Sequence, residues 1–187
     1  MIASGNDTIQ YDHRRTLIIG DVNTGKTRLT EQVLKRWTAQ GRGPDIVLLD
    51  LAPESKDGIG GRLNRPAGFD GLYLTTAIVP PRLTARHATG ANALARANAQ
   101  AIEMLFEDAH RAAGSILVIN DVTLYLQAGR YERLLATIQT AATVLINAYY
   151  GHSFPDYDLS RQERRLTERL IQDCDRIIRL PDPDLTE

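Results

Sequence analysis

Three patterns meet around residue 20 and constrain this chain more than anything else in it. Thr16-Leu17-Ile18-Ile19 is a short apolar run with the length and branching of a buried strand, and it ends on Gly20. From Thr27 the spacing changes: Leu29, Val33 and Trp37 recur near the helical period until Gly41, Gly43 and Pro44 stop the helix. Between strand and helix stands Gly20-Asp21-Val22-Asn23-Thr24-Gly25-Lys26-Thr27, which fits G-x-x-x-x-G-K-[ST] at every defined position. Two glycines let the backbone curl so that successive N–H groups turn inward, and the helix that follows adds the positive end of its dipole. The run therefore predicts an anion cradle. Lys26 is spaced to reach β- and γ-phosphates, and the Thr27 hydroxyl to complete a Mg²⁺ shell. By accident such a pattern arises in fewer than about one in a hundred chains of this length.

The remaining segments repeat the alternation of strand and helix. Ile46-Val47-Leu48-Leu49, closed by Asp50, reads as the return strand of a βαβ unit. Residues 52–71 carry loop composition, with Pro53, Gly58, Gly60, Gly61, Pro66, Gly68 and Gly71. A strand is predicted over 72–79, stopped by Pro80-Pro81, and an Ala-rich helix over 91–113. Ser115-Ile116-Leu117-Val118-Ile119 is a strongly apolar strand with Asn120-Asp121 at its carboxyl end. A helix over 131–140 and a strand over 143–146 follow. Ser160 with Glu163 reads as a capping-box start for a helix bearing Leu166, Leu170 and Ile171, and 176–180 as a last edge strand. The expectation is one α/β domain over 1–187, a mostly parallel sheet flanked by helices.

Charge excludes little and directs little. With 22 basic and 23 acidic residues the net charge is −1, so nothing in the balance indicates nucleic acid. No apolar run approaches the roughly 20 residues of a membrane span, and the first residues lack signal-peptide character, so the sequence reads as cytoplasmic with no membrane partner. Cys174, alone, reads as a small core residue. His87, His110 and His152 are spaced too widely to suggest zinc.

A phosphate cradle also needs a carboxylate at a nearby strand end to hold the metal. Asp121 and Asp50 both qualify, and Asp121 is preferred for its setting after Ile116–Asn120. The guanine-reading Asn-Lys-x-Asp pattern is absent, since the corresponding region reads Ile146-Asn147-Ala148-Tyr149, and this favours adenine. Asp57-Gly58-Ile59-Gly60 matches a short Asp-x-x-Gly pattern but reads better as loop. Arg62, Arg65, Arg82 and Arg86 fall near the expected carboxyl edge of the sheet, where one could clamp phosphate or a second substrate, although solvated surface is their ordinary role. Tyr149 and Tyr150 could stack on a base or simply pack.

Over Gly20 to Thr27 the chain resembles the P-loop NTPase superfamily, which implies a parallel sheet binding nucleotide at its carboxyl ends. A fainter likeness covers 91–180: the Ala-rich helix, the apolar strand and Asn120-Asp121-Val122-Thr123-Leu124-Tyr125-Leu126-Gln127-Ala128-Gly129 resemble the P-loop corrinoid adenosyltransferases, where an acidic pair follows the strand. Here only Asp121 of the pair is acidic, and the phosphate loop is one residue longer. That likeness implies a RecA-like sheet.

The expected ligands are ATP and Mg²⁺. Gly20, Asp21, Val22, Asn23, Thr24, Gly25, Lys26, Thr27 and Arg28 are the expected nucleotide-binding residues, Lys26 and Asp121 the catalytic ones, and Thr27, Asp121 and Asp50 the candidates for the metal. Three functions fit: an ATP hydrolase, an ATP-dependent transferase acting on a small acceptor, or a non-hydrolysing module whose nucleotide state a protein partner reads.

Overall fold

The computed structural model describes residues 8–54, 61–85, 87–112, 114–155 and 157–181. Six strands make one sheet: β1 (Arg15–Gly20), β2 (Ile46–Asp50), β3 (Leu72–Thr75), β4 (Ile116–Asn120), β5 (Thr143–Tyr149) and β6 (Arg176–Arg179). Their order is β3-β2-β4-β5-β1-β6, and every neighbouring pair is parallel. The expected "mostly parallel" sheet is thus parallel throughout.

Strand periodicity explains the two-sided core. Leu17, Ile19, Val47, Leu49, Leu117, Ile119, Val144 and Ile146 share one apolar layer, while Ile18, Ile46, Leu48, Ile116, Val118 and Leu145 belong to the other. Helix α1 (Lys26–Ala39) supplies Val33, Leu34 and Trp37 to the second layer. The first is covered by α3 (Ala88–Ala112), the short α4 (Thr123–Leu126), α5 (Tyr131–Ile138) and α6 (Asp158–Asp173). A four-residue helix, α2 (Pro81–Thr84), starts where two prolines end the approach from β3. Because all strands run the same way, their carboxyl ends share one edge, and Gly20, Asp50, Asn120 and Tyr149 all arrive there.

Several boundaries differ from the sequence expectation. Strand β3 stops at Thr75, and its burial is only partial because it is the sheet's edge. Strand β5 runs on to Tyr149, paired with β1 up to Gly20. The Ala-rich helix begins three residues early, at Ala88. The expected capping box is not made. Helix α6 starts at Asp158, Ser160 Oγ donates to the Pro155 carbonyl at 2.8 Å, and Glu163 is turned to the protein interior, where it meets Arg82 and Gln127. Asp57 to Gly60 and Arg86 lie outside the described residues.

Candidate functional site

The loop between β1 and α1 is shaped by close packing at one end and left-handed backbone at the other. A Cβ on Gly20 would stand 2.6 Å from Thr24 Oγ1 and 3.2 Å from the Leu180 carbonyl, so only glycine fits there. Asn23 and Gly25 take positive φ of 57° and 88°. Gly25 is the N-cap of α1, and no side chain caps the helix there. The first amides of α1 therefore lack both a helical acceptor and a side-chain cap, which leaves an uncapped positive helix end. Thr24 Oγ1 donates to the Asp21 carbonyl at 2.9 Å, and the Lys26 ammonium donates to the same carbonyl. Burial lowers the Lys26 pKa, with the charges of Asp121 and Asp21 opposing it. At Asp21, burial works to raise the pKa but is outweighed, and the carboxyl sits below its ordinary range because Ser153 and the amides of His152 and Val22 donate to it. Those bonds tie the loop to the segment after β5.

Beneath the loop, amide side chains bridge three strands and a helix. Asn120 Nδ2 donates to Asp50 Oδ1 at 2.7 Å, and Asn147 Nδ2 donates to Asn120 Oδ1 at 2.8 Å and to Thr30 Oγ1 at 2.9 Å. Thr27 Oγ1 stands 3.5 Å from Asn120 Oδ1. Asn147 Oδ1 in turn accepts the Asp121 amide at 2.9 Å. That bond holds Asp121 in the left-handed region, at φ 56°, a conformation rare for a residue with a side chain.

A cavity of about 330 Å³ collects Val22, Asn23, Gly25, Lys26, Thr27 and Asp121 on its lining. Gly20, Asp21, Thr24 and Arg28 are not on it; Gly20 is buried under the loop, and Arg28 points to solvent on α1. Asp50 is fully buried and also off the lining. Its carboxylate accepts from Asn120, from the Leu63 amide at 2.8 Å, from Tyr73 Oη at 3.0 Å and from the Ala52 amide at 3.4 Å. Asp121, by contrast, faces the cavity; burial raises its pKa, while the Lys26 ammonium and the Thr123 hydroxyl pull it back down.

The same cavity holds a group that the sequence reading did not bring together. Arg82 on α2 pairs with Glu163 on α6, and Gln127 Nε2, just past α4, donates to the same Glu163 oxygen at 2.9 Å. Arg82 also lies 4.7 Å over the Phe154 ring, which meets Tyr149 edge to face at 5.0 Å. Burial raises the Glu163 carboxyl to about 7 even though Arg82 and Gln127 act to lower it. Of the three described arginines among the four singled out by position, Arg82 alone is on this lining; Arg62 reaches Glu54 and the Thr76 carbonyl, and Arg65 covers Tyr73. Glu163 was legible as something other than a cap. It shares the buried stripe of Leu166, Thr167 and Leu170 on α6, and an acid on an apolar stripe signals a buried partner.

Among the described residues no three His, Cys, Asp or Glu side chains gather closely enough to hold a metal alone. Of the three candidates for the metal, Thr27 and Asp121 line the cavity with Lys26, and Asp50 does not. No helix among the described residues is long and apolar enough to cross a membrane. No family model matches the chain, and none of the curated proteins compared with it does.

Proposed function

We propose that this chain is a Mg·ATP-binding P-loop protein of RecA-like arrangement that cleaves the γ-phosphate bond. One observation carries the reading: the G-x-x-x-x-G-K-T run joins a buried strand to an uncapped helix N-terminus, and Lys26, Thr27 and Asp121 line one cavity there. Strand order supports the finer assignment. A single strand, β5, separates the loop-bearing β1 from β4, and β4 delivers Asp121 to the same edge.

The donor set fits a magnesium triphosphate. Uncapped amides at the start of α1 would take phosphate oxygens, Lys26 the terminal phosphates, and Thr27 and Asp121 the metal or its water. Bound Mg²⁺ supplies neutralisation of charge on the transferring phosphoryl group. The residues of the chain then have separate duties. Lys26 is released from the Asp21 carbonyl to meet phosphate, and its partial burial strengthens that contact. Asp121, held rigidly by Asn147, offers a fixed carboxylate for the metal or for a water. Asp50 holds Asn120, and Asn120 stands beside Thr27, so Asp50 supports the metal side of the site from behind.

Transfer to a small acceptor is the second reading, and the extension of the cavity to Arg82, Gln127 and Glu163 favours it. Two measurements test the proposal. Lys26→Ala should weaken Mg·ATP binding or turnover by at least about tenfold, roughly 1.4 kcal/mol, without loss of the folded state. Equal binding and turnover in both proteins would overturn it. ATP should also outcompete GTP, and a preference for GTP by more than about tenfold would mean that guanine is read by other residues.

A further inference from the structure

The group at Arg82, Gln127 and Glu163 is built differently from an ordinary internal ion pair. One carboxylate oxygen, Glu163 Oε2, receives both the Arg82 guanidinium and Gln127 Nε2. This consumes one donor from each residue and leaves two buried polar atoms without a partner, the acceptor Gln127 Oε1 and the donor Arg82 Nε. Gln127 and Glu163 are each 3% exposed. Both lie on the lining of the cavity that also holds Lys26 and Asp121. An unmet acceptor and an unmet donor on two side chains that converge on one oxygen ask for a group that both donates and accepts.

Hydrogen-bonding capacity and shape narrow the choice further. A carboxylate would bring no donor for Gln127 and would face Glu163, while an ammonium would bring no acceptor for Arg82. A hydroxyl supplies both from one atom. Around it the lining is apolar and aromatic, with Pro81, Leu124, Tyr149 and Phe154, and a volume of about 330 Å³ is at the small end of ligand pockets. We propose that Arg82, Gln127 and Glu163 form the subsite for a second substrate, a small uncharged alcohol with an apolar or aromatic body. Its place as the second substrate rests on the nucleotide reading above; the subsite itself does not.

Benzyl alcohol and toluene are a matched pair of probes, differing by the hydroxyl group. Each is titrated into the full chain and followed by ¹H–¹⁵N NMR, including the side-chain resonances of Gln127 and Arg82. Benzyl alcohol should bind at least about tenfold more tightly than toluene, because toluene would leave those polar atoms unmet. It should also shift both side-chain resonances. In Gln127→Leu the ratio should fall toward one, and Gln127→Met serves if the leucine variant does not fold. Equal affinities in the wild type, no shift with either probe, or a ratio unchanged in the variant overturns the assignment. A parallel Mg·ATP titration separates the two readings. Loss of alcohol discrimination with ATP binding intact removes the subsite alone, and discrimination without ATP binding removes the nucleotide reading alone.

Discussion

Two buried carboxylates, Asp50 and Glu163, stand at the carboxyl edge of the same sheet and are satisfied in opposite ways. Asp50 accepts four hydrogen bonds, two from backbone amides, one from a tyrosine and one from an asparagine, and it is not on the lining of the cavity. Glu163 has an arginine and a glutamine, both on one oxygen; these neighbours retain unmet buried polar atoms, and all three residues line the cavity. The first is a closed structural knot that sets the position of Asn120 under Thr27. The second is an open group whose hydrogen bonding is incomplete within the chain. The lesson is that burial alone does not distinguish a scaffold acid from a site acid; the fate of the surrounding donors and acceptors does.

Removing Asp50 should break the comparison most forcefully. Asp50→Ala leaves the Leu63 amide, Tyr73 Oη and Asn120 Nδ2 without their acceptor in the interior, and a loss on the order of 3–5 kcal/mol is expected. Urea unfolding at neutral pH measures it. A loss below about 1 kcal/mol would show that water or rearranged side chains replace the carboxylate readily, and the contrast with Glu163 would dissolve.

Glu163 should respond chiefly to pH. In the unfolded chain it titrates as an ordinary glutamate, near 4.5, whereas in the folded protein burial raises it to about 7. Between those values the folded state binds more protons than the unfolded one, so its contribution to stability is greatest below the lower value and is lost as pH rises through the upper one. The groups facing it are Arg82, Gln127 and the more distant charge of Asp121. Glu163→Gln cannot titrate. Compared with the variant, the wild type should therefore lose on the order of 2 kcal/mol between pH 5 and pH 7.5. Parallel stability curves for the two proteins across that range would mean that Glu163 is ionised throughout and that Arg82 outweighs burial.

How much of this could be read in the sequence differs by region for a physical reason. The cradle from Gly20 to Thr27 is contiguous, its constraints are backbone constraints, and each strand announces itself by an apolar run, so loop, strands and parallel architecture were all legible. The amide network was not. Asn120, Asn147 and Thr30 are separated by tens of residues, and only the order β2-β4-β5 brings their ends together. Asn147 entered the sequence reading only as the place where a guanine motif is missing. Glu163 was misread because Ser160 at three residues' spacing is also the signature of a cap, and a local rule prevailed over the helical stripe that buries it. Asp50 and Asp121 were equivalent as sequence, each closing an apolar strand. Their difference lies in neighbours from β3 and the 61–71 segment, which surround Asp50 and leave Asp121 on the cavity.

That last difference yields the finest test. If Asp121 serves the metal and Asp50 only supports Asn120, replacing each by asparagine should separate the two roles, since the change keeps size and hydrogen bonding but removes charge. Asp121→Asn should weaken Mg²⁺-dependent ATP affinity or turnover by about tenfold, near 1.4 kcal/mol. Asp50→Asn should do less to that affinity, because its carboxylate meets Thr27 only through Asn120. The contrast should disappear for binding measured in EDTA, where no metal bridges carboxylate and phosphate. Asp121 also repels Glu163 and attracts Lys26, so its removal should make Lys26 lose a proton more readily and shift the alkaline limb of ATP binding to lower pH. A larger Mg²⁺-dependent loss in Asp50→Asn than in Asp121→Asn would exchange the two assignments and make Asn120 the relay through which the knot at Asp50 reaches the metal.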